Sequence, residues 1–368
     1  TYLLNNKFFV IFIAPFLLGV ITTLSFSPLN LTFVNFFTFS SLLGLILVIK
    51  KKTQSKFRKK KSIRFFFYLG CAFGTGFFLA GNYWIAISLT HNEIFKGLIP
   101  IALTVIPLFL SLFFGIAILL AGVFADKKLY FVLVFSLTFS IFEFIRGNIL
   151  TGFPWNLFAF SFSNNFVFIQ ILSILGTYGF NMICITLFLT PAILVLKENN
   201  SKLYLCLFSI LISISFLIFG NIKLDRESKI SNKKNNYLIK VVSPKISIDR
   251  FYNVNTERQI IKDLIKLSNP DSNIPTIFIW PEGMLASSNV DNIKKYKELF
   301  NENFTEKHLI ILGVNDILKN ENKLDVFNSL IVVDNNLNIQ NLYYKNNLVP
   351  FGEFLPLENY LTKLGLRS

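Results

Sequence analysis

The 368 residues are enough for two or three domains, but 53% are hydrophobic, only 15% are charged and the mean hydropathy is +0.55. A soluble domain carries about a quarter charged residues, so an ordinary soluble enzyme is excluded. The net charge of +15 does not point to nucleic acid either: residues 1–222 hold sixteen Lys/Arg against four Asp/Glu, and nine of the sixteen form one block, KKKTQSKFRKKKSIR at 50–64. Such a block reads as a basic loop beside a membrane.

Seven apolar runs follow one another at 8–25, 29–49, 65–90, 98–124, 129–146, 166–196 and 203–221. Each approaches the roughly 20 residues that a transmembrane helix needs. The first follows Lys7 like a secretory signal, but it lacks a small-residue cleavage site and more spans follow at once, so it reads as an uncleaved span. The second loop holds the nine-charge block, the fourth Lys127 and Lys128, the sixth Lys197 and Lys202, whereas the odd loops hold little more than Lys96 and Arg146. By the positive-inside rule the even loops and the amino terminus are cytoplasmic, and seven crossings place the rest of the chain outside.

The fifth loop, FEFIRGNILTGFPWNLFAFSFSNN at 142–165, sets Glu143 and Arg146 three residues apart before a Gly-Phe-Pro-Trp turn. Two readings stand: a helix-end ion pair with interfacial aromatic anchors, or a re-entrant segment, whose irregular backbone has to be buried in protein or face water.

Residues 223–236, KLDRESKISNKKNN, read as a polar linker between a membrane domain (1–222) and a second domain (237–368). That domain alternates: strand YLIKVV at 237–242, helix 256–268 with Thr256 and Gln259 in capping-box spacing, strand in PTIFIW, helix 292–304, strand HLIILGV at 308–314, then VFNSLIVVD and NIQNLYY around an Asn-rich turn. A βαβαβ unit leading into a hairpin is a layered α/β domain. Glu282 follows the second strand in IWPEG, Lys345 follows the hairpin, and Glu353 follows a Pro-Phe-Gly turn. Taken singly, each is also an unremarkable turn or strand-end residue; jointly they are one lysine and two carboxylates at loop and strand ends, where sites form. FLPLENYLTKLGL at 354–366 reads either as core or as an arm on the bilayer.

IWPEG, followed about sixty residues later by YYKNNLVPFGEFLPLE, resembles the nitrilase-type domain of the bacterial apolipoprotein N-acyltransferases, and GNYWIAIS (81–88) and RGNILTGFPWN (146–156) resemble that family's membrane part. The resemblance covers essentially the whole chain. It implies a polytopic helical membrane domain followed by an αββα sandwich with a Glu-Lys-Cys triad. Glu282 would be the general base, Lys345 the cation beside the oxyanion, and Glu353 a carboxylate that holds the site. Trp155, Phe251 and Phe351 would contact substrate, Phe251 standing where the family usually has a tryptophan. The implied reaction moves an acyl chain from a membrane phospholipid through a cysteine thioester to the amino-terminal diacylglyceryl-cysteine of an apolipoprotein, at the periplasmic side of the inner membrane, with no cofactor, metal or nucleic acid.

The family's cysteine follows the Pro-Phe-Gly-Glu loop on a later strand, whereas Cys71, Cys184 and Cys206 all lie in apolar spans. These 368 residues are therefore expected to lack the nucleophile, to hold an incomplete sandwich and to form no acyl-enzyme alone. His91 and His308 are too isolated to suggest a metal site. A membrane-tethered amidase shares the triad logic but has no need of seven spans, and a transporter would show repeats or mid-membrane ionisable residues. A non-catalytic scaffold is the remaining alternative.

Overall fold

The computed structural model describes residues 6–53, 59–91, 93–149, 152–230, 236–245, 257–320, 323–349 and 353–354. Thr256, Phe251, Phe351 and the segment beyond Phe354 lie outside them. The chain divides into two compact units, Thr1–Ile230 and Ser231–Ser368.

The first unit is helical: α1 (Phe9–Ser25), α2 (Phe33–Thr53), α3 (Lys59–Asn82), α4 (Ile99–Val123), α5 (Leu129–Asn148), α6 (Leu172–Phe188) and α7 (Asn199–Ile230). Among the described residues, six stretches are long and apolar enough to cross a membrane: Phe33–Thr53, Ile63–Asn82, Phe95–Val123, Leu129–Asn148, Phe168–Leu194 and Asn199–Lys229. The expected first span, α1, falls short of that length. It nevertheless packs closely on α3, since a Cβ on Gly19 would collide with the Phe73 carbonyl and one on Gly76 with the Phe16 carbonyl. Small residues at such crossings let backbones approach, which is how helices associate where no hydrophobic force separates them from lipid.

Phenylalanine fills the interior. Phe39, Phe73, Phe77, Phe114, Phe139 and Phe158 are all fully buried, and the Phe39 and Phe158 rings meet edge-on with centroids 4.7 Å apart, the geometry the ring quadrupoles favour. Phe158 comes from the α5–α6 connection, so part of that loop packs into the bundle. The even loops gather at one end: Lys50 Nζ donates to the Ala125 carbonyl, and the Lys197 amide donates to the Lys127 carbonyl at 3.0 Å.

The expected linker needs correcting. Helix α7 continues to Ile230, through the first part of the 223–236 stretch. That stretch contains no Pro or Gly before Ile230, and Asp225 and Lys229 pair at 2.6 Å in i,i+4 spacing, which supports a helix.

The second unit holds strands β1 (Leu238–Val241), β2 (Thr276–Ile279), β3 (Leu285–Asn289), β4 (His308–Asn320), β5 (Lys323–Val333) and β6 (Ile339–Tyr344), with helices α8 (Glu257–Ser268) and α9 (Lys297–Asn303). The sheet order is β1-β2-β4-β5-β6, with β3 beside β4. β1, β2 and β4 run parallel and β5 and β6 antiparallel, as a βαβαβ unit closed by a hairpin requires. Two details differ from the sequence reading. β3 was not expected, and the helix expected over 292–304 begins as a 3₁₀ turn at Ile293–Tyr296.

The two faces of the sheet differ. Phe278, Ile310, Leu312, Ile331 and Val333 point to one side and are buried with Ile261 and Leu264 of α8 and Phe300 of α9. The register puts Val241, Leu330 and Tyr343 on the other side, where they are exposed. Gly313, Asn328 and Lys345 share that second side by strand alternation, so the candidate site is on the face opposite the two helices.

Candidate active site

The site begins at the end of β2. Trp280 remains in the core, its indole N–H donating to Ser268 Oγ at 3.0 Å and its amide to the Ile311 carbonyl at 2.8 Å. Pro281 offers no donor to continue the ladder, and Gly283 turns the chain at φ 67°, a conformation that disfavours a side chain. Glu282 is thereby lifted out of the strand and laid over β4. A Cβ on Gly313 would stand 3.0 Å from the Glu282 Cα, so only glycine at 313 allows the loop to sit at this distance undisturbed.

The hairpin brings up the partners. Lys345 follows β6, and its amide donates to the Asn328 carbonyl of β5 at 2.9 Å. Its ammonium reaches Glu282 Oε1 at 3.1 Å and Glu353 Oε1 at 2.8 Å. The Asn328 side-chain amide donates to the same two oxygens, at 2.6 Å and 2.7 Å. Glu353 is fixed further by the Val349 amide, which donates to Oε2 at 2.7 Å, while its own amide donates to the Val349 carbonyl at 2.8 Å. Val349 and Glu353 thus hold each other through backbone and carboxylate alike.

Glu282, Lys345 and Glu353, singled out in the sequence, are brought together in the structure. Asn328 was missed, although a lone asparagine in the apolar strand VFNSLIVVD was a visible signal. The Glu282 side chain is 61% exposed, against 31% for Lys345 and 22% for Glu353. Hydrogen bonds from Lys345 and Asn328, rather than burial, hold this carboxylate in place.

The charges reinforce one another. Burial acts to raise the Glu353 carboxyl, but hydrogen bonds from Lys345, Val349 and Asn328 outweigh it and hold the group below the usual range. The hydrogen bond to Glu353, opposed by partial burial and assisted by Glu282, holds the Lys345 ammonium above its usual value. Lysine here is a fixed cation. An ammonium has three hydrogens; with two aimed at carboxylates, one remains for a further acceptor.

The strand after Glu282 is pinned from the helix side. Ser288 Oγ donates to Glu257 Oε1 of α8, as does the Tyr296 hydroxyl at 2.8 Å, with Lys295 Nζ at 3.3 Å. Burial and the bond to Glu257 push the Tyr296 hydroxyl up to about 12. His308 is structural, with Nδ1 accepting from the Thr305 amide at 3.1 Å and Nε2 against the Asp271 carbonyl at 2.9 Å. Trp155 lies in the membrane unit, edge-on to Trp84 with centroids 5.4 Å apart, and 53% exposed.

Residues 18–190 match the family described as the apolipoprotein N-acyltransferase N-terminal domain. A Rickettsia typhi protein named apolipoprotein N-acyltransferase is 34% identical over 354 residues, covering 94% of this chain and 66% of its own length. The chain belongs to the apolipoprotein N-acyltransferase family. The Rickettsia prowazekii relative of the same name is 31% identical over 351 residues (94% and 66%), and that of Rhodopseudomonas palustris 26% over 367 (95% and 66%). The chain thus spans about two thirds of the length of these relatives. Its polytopic helical domain followed by an α/β domain of the nitrilase-like kind is the fold class expected from the sequence.

Proposed function

We propose that this protein carries the base and lysine of a phospholipid-dependent apolipoprotein N-acyltransferase. The observation that supports this most directly is the convergence of Glu282 and Glu353 on Lys345 and Asn328, from four places along the chain. In the reaction Glu282 takes the proton of a cysteine thiol, since the thiolate is the effective nucleophile. The thiolate attacks the acyl carbonyl of a phospholipid ester, and the oxyanion is stabilised by the free N–H of Lys345. Collapse breaks the ester C–O bond, the lysophospholipid alkoxide recovers the proton from Glu282, and the acyl group is left as a thioester. The α-amine of a diacylglyceryl-cysteine then attacks that thioester, giving the amide and regenerating the thiol.

Glu353 and Asn328 orient Lys345 and Glu282. Phe251, Phe351 and Trp155 are the candidate contacts to the acyl donor. The cysteine of this triad follows Glu353 in the family and is none of Cys71, Cys184 and Cys206, which lie in α3, α6 and α7. Both substrates are lipid-anchored, a physical reason to join the site to a membrane domain. The gathering of the basic even loops at one end supports a multi-pass inner-membrane protein with the α/β domain on the periplasmic side.

The test is acyl transfer from a labelled phospholipid to a diacylglyceryl-cysteine peptide by the natural protein and its E282Q and K345M variants. Each variant is expected to lose about 10²-fold or more. Wild-type rates in E282Q would overturn the reading.

A further inference from the structure

The last turns of α5 carry an ion pair that the reaction does not use. Glu143 and Arg146 are completely buried inside the membrane domain, 2.9 Å apart, and the guanidinium lies over the Phe78 ring at 5.1 Å. Removing two charges from water costs more than their attraction usually returns. Among the described residues, Glu143 Oε1 and Arg146 Nε have no hydrogen-bond partner, so the pair is a poor stabiliser for its position. An intramembrane ion pair is more often retained for what it organises.

What this pair organises is the backbone of the re-entrant segment. Arg146 Nη1 donates to the Phe153 carbonyl, and the Phe153 amide donates to the Arg146 carbonyl at 3.0 Å. One residue thus clasps Phe153 by both its polar groups. Gly152 makes the clasp possible: its φ is +84°, and a Cβ there would collide with the Gly147 carbonyl. Beyond the clasp Asn156 Nδ2 donates to Asn82 Oδ1 at 3.1 Å, and the Ala159 amide to Asn181 Oδ1 at 2.9 Å. Trp155 stands between these fixed points, against Trp84, with its ring exposed on the surface of the domain.

We propose that Glu143 and Arg146 are positioning residues: through Phe153 they fix Trp155 against Trp84 as a rigid aromatic contact for the phospholipid donor. This rests on the proposed acyl transfer, and the experiment keeps the two apart. The near-ultraviolet circular dichroism of the Trp84–Trp155 pair, taken as the difference between the natural protein and its W155F variant, reads the clasp without any turnover. Michaelis constants for a dioleoyl phospholipid in mixed micelles read its consequence.

The double variant E143Q/R146M removes both charges at similar volume. It is expected to fold, to lose the pair signal, and to raise KM for the phospholipid about ten-fold with kcat within about three-fold, the pattern of lost binding contacts. A folded variant with the pair signal intact overturns the proposal. If the double variant fails to fold, R146K decides: it keeps the charge but lacks the planar fork, so a lost signal supports the clasp and an intact one overturns it. Signal lost with KM unchanged overturns the donor contact. A natural protein with no acyl transfer refutes the proposed function and leaves the spectroscopic result standing.

Discussion

Lys345 Nζ lies 3.1 Å from Glu282 Oε1 although 63 residues separate the two in the chain. The contact exists because β4 lies between β2 and β5, and because Lys345 continues the β6 ladder onto Asn328. Every element of the second unit that forms the sheet's centre contributes to this one distance.

Asn328 is the most economical place to test the arrangement. Its amide donates to both carboxylates, so Asn328→Leu removes two hydrogen bonds to charged groups at once. Such bonds are worth about 1.5–3 kcal/mol each when shielded, and exposure here reduces that to about 1–2 kcal/mol in total. Chemical unfolding of N328L should show a loss of that size. N328D, which sets a third carboxylate against two others, should be worse in both stability and acyl transfer.

Substitutions at Lys345 separate charge from geometry. K345M should abolish acyl transfer by about 10²–10³-fold, the range for loss of one oxyanion donor. K345R keeps the charge but offers a planar fork in place of three rotatable donors, and should recover less than a tenth of the activity. Equal activity of K345R and the natural protein would show that only charge matters at this position.

The pH dependence of stability has a definite sign. Glu353 is held below its unfolded pKa of about 4.3, so its contribution is complete above that value and is lost as pH falls through the lower folded one. Lys345 is held above its unfolded pKa of about 10.4, so its contribution is complete below that value and is lost as pH rises through the folded one. The stability difference between the natural protein and E353Q should therefore be flat from about pH 5 to pH 10 and should shrink on both sides. Urea midpoints across that range measure it.

Gly313 tests the seat of Glu282, the proposed base. In G313A the new Cβ would stand 3.0 Å from the Glu282 Cα, so the Glu282 loop has to shift by a few tenths of an ångström. A misplacement of even 1 Å can cost about 10²-fold; G313A should lose acyl transfer by about ten-fold while the unfolding midpoint changes little. A large loss of stability with normal activity in the remaining folded protein would show that Gly313 serves packing alone.

What the sequence by itself determined is local or periodic. Long apolar runs made the membrane helices legible, because a span is fixed by length and composition. Ile260, Ile261, Leu264 and Ile265 stand at helical spacing where α8 forms, and the Asn-rich turn announced the β5–β6 hairpin. Glu282, Lys345 and Glu353 were found because a distinctive string of residues carried a family resemblance. Only the tertiary structure decided the rest. The strand order, with β4 between β2 and β5, depends on which edges pair, and no local pattern encodes it. Asn328 is a site residue only because register sets it beside Lys345, and Gly313 matters only because another loop crosses it. The same holds for Arg146, which the sequence left as half of a helix-end ion pair or part of a re-entrant segment. The structure shows the ion pair with Glu143 buried near the end of α5 and the guanidinium also bonded to the Phe153 carbonyl, since a guanidinium inside the bundle has to find its acceptors where the fold brings them.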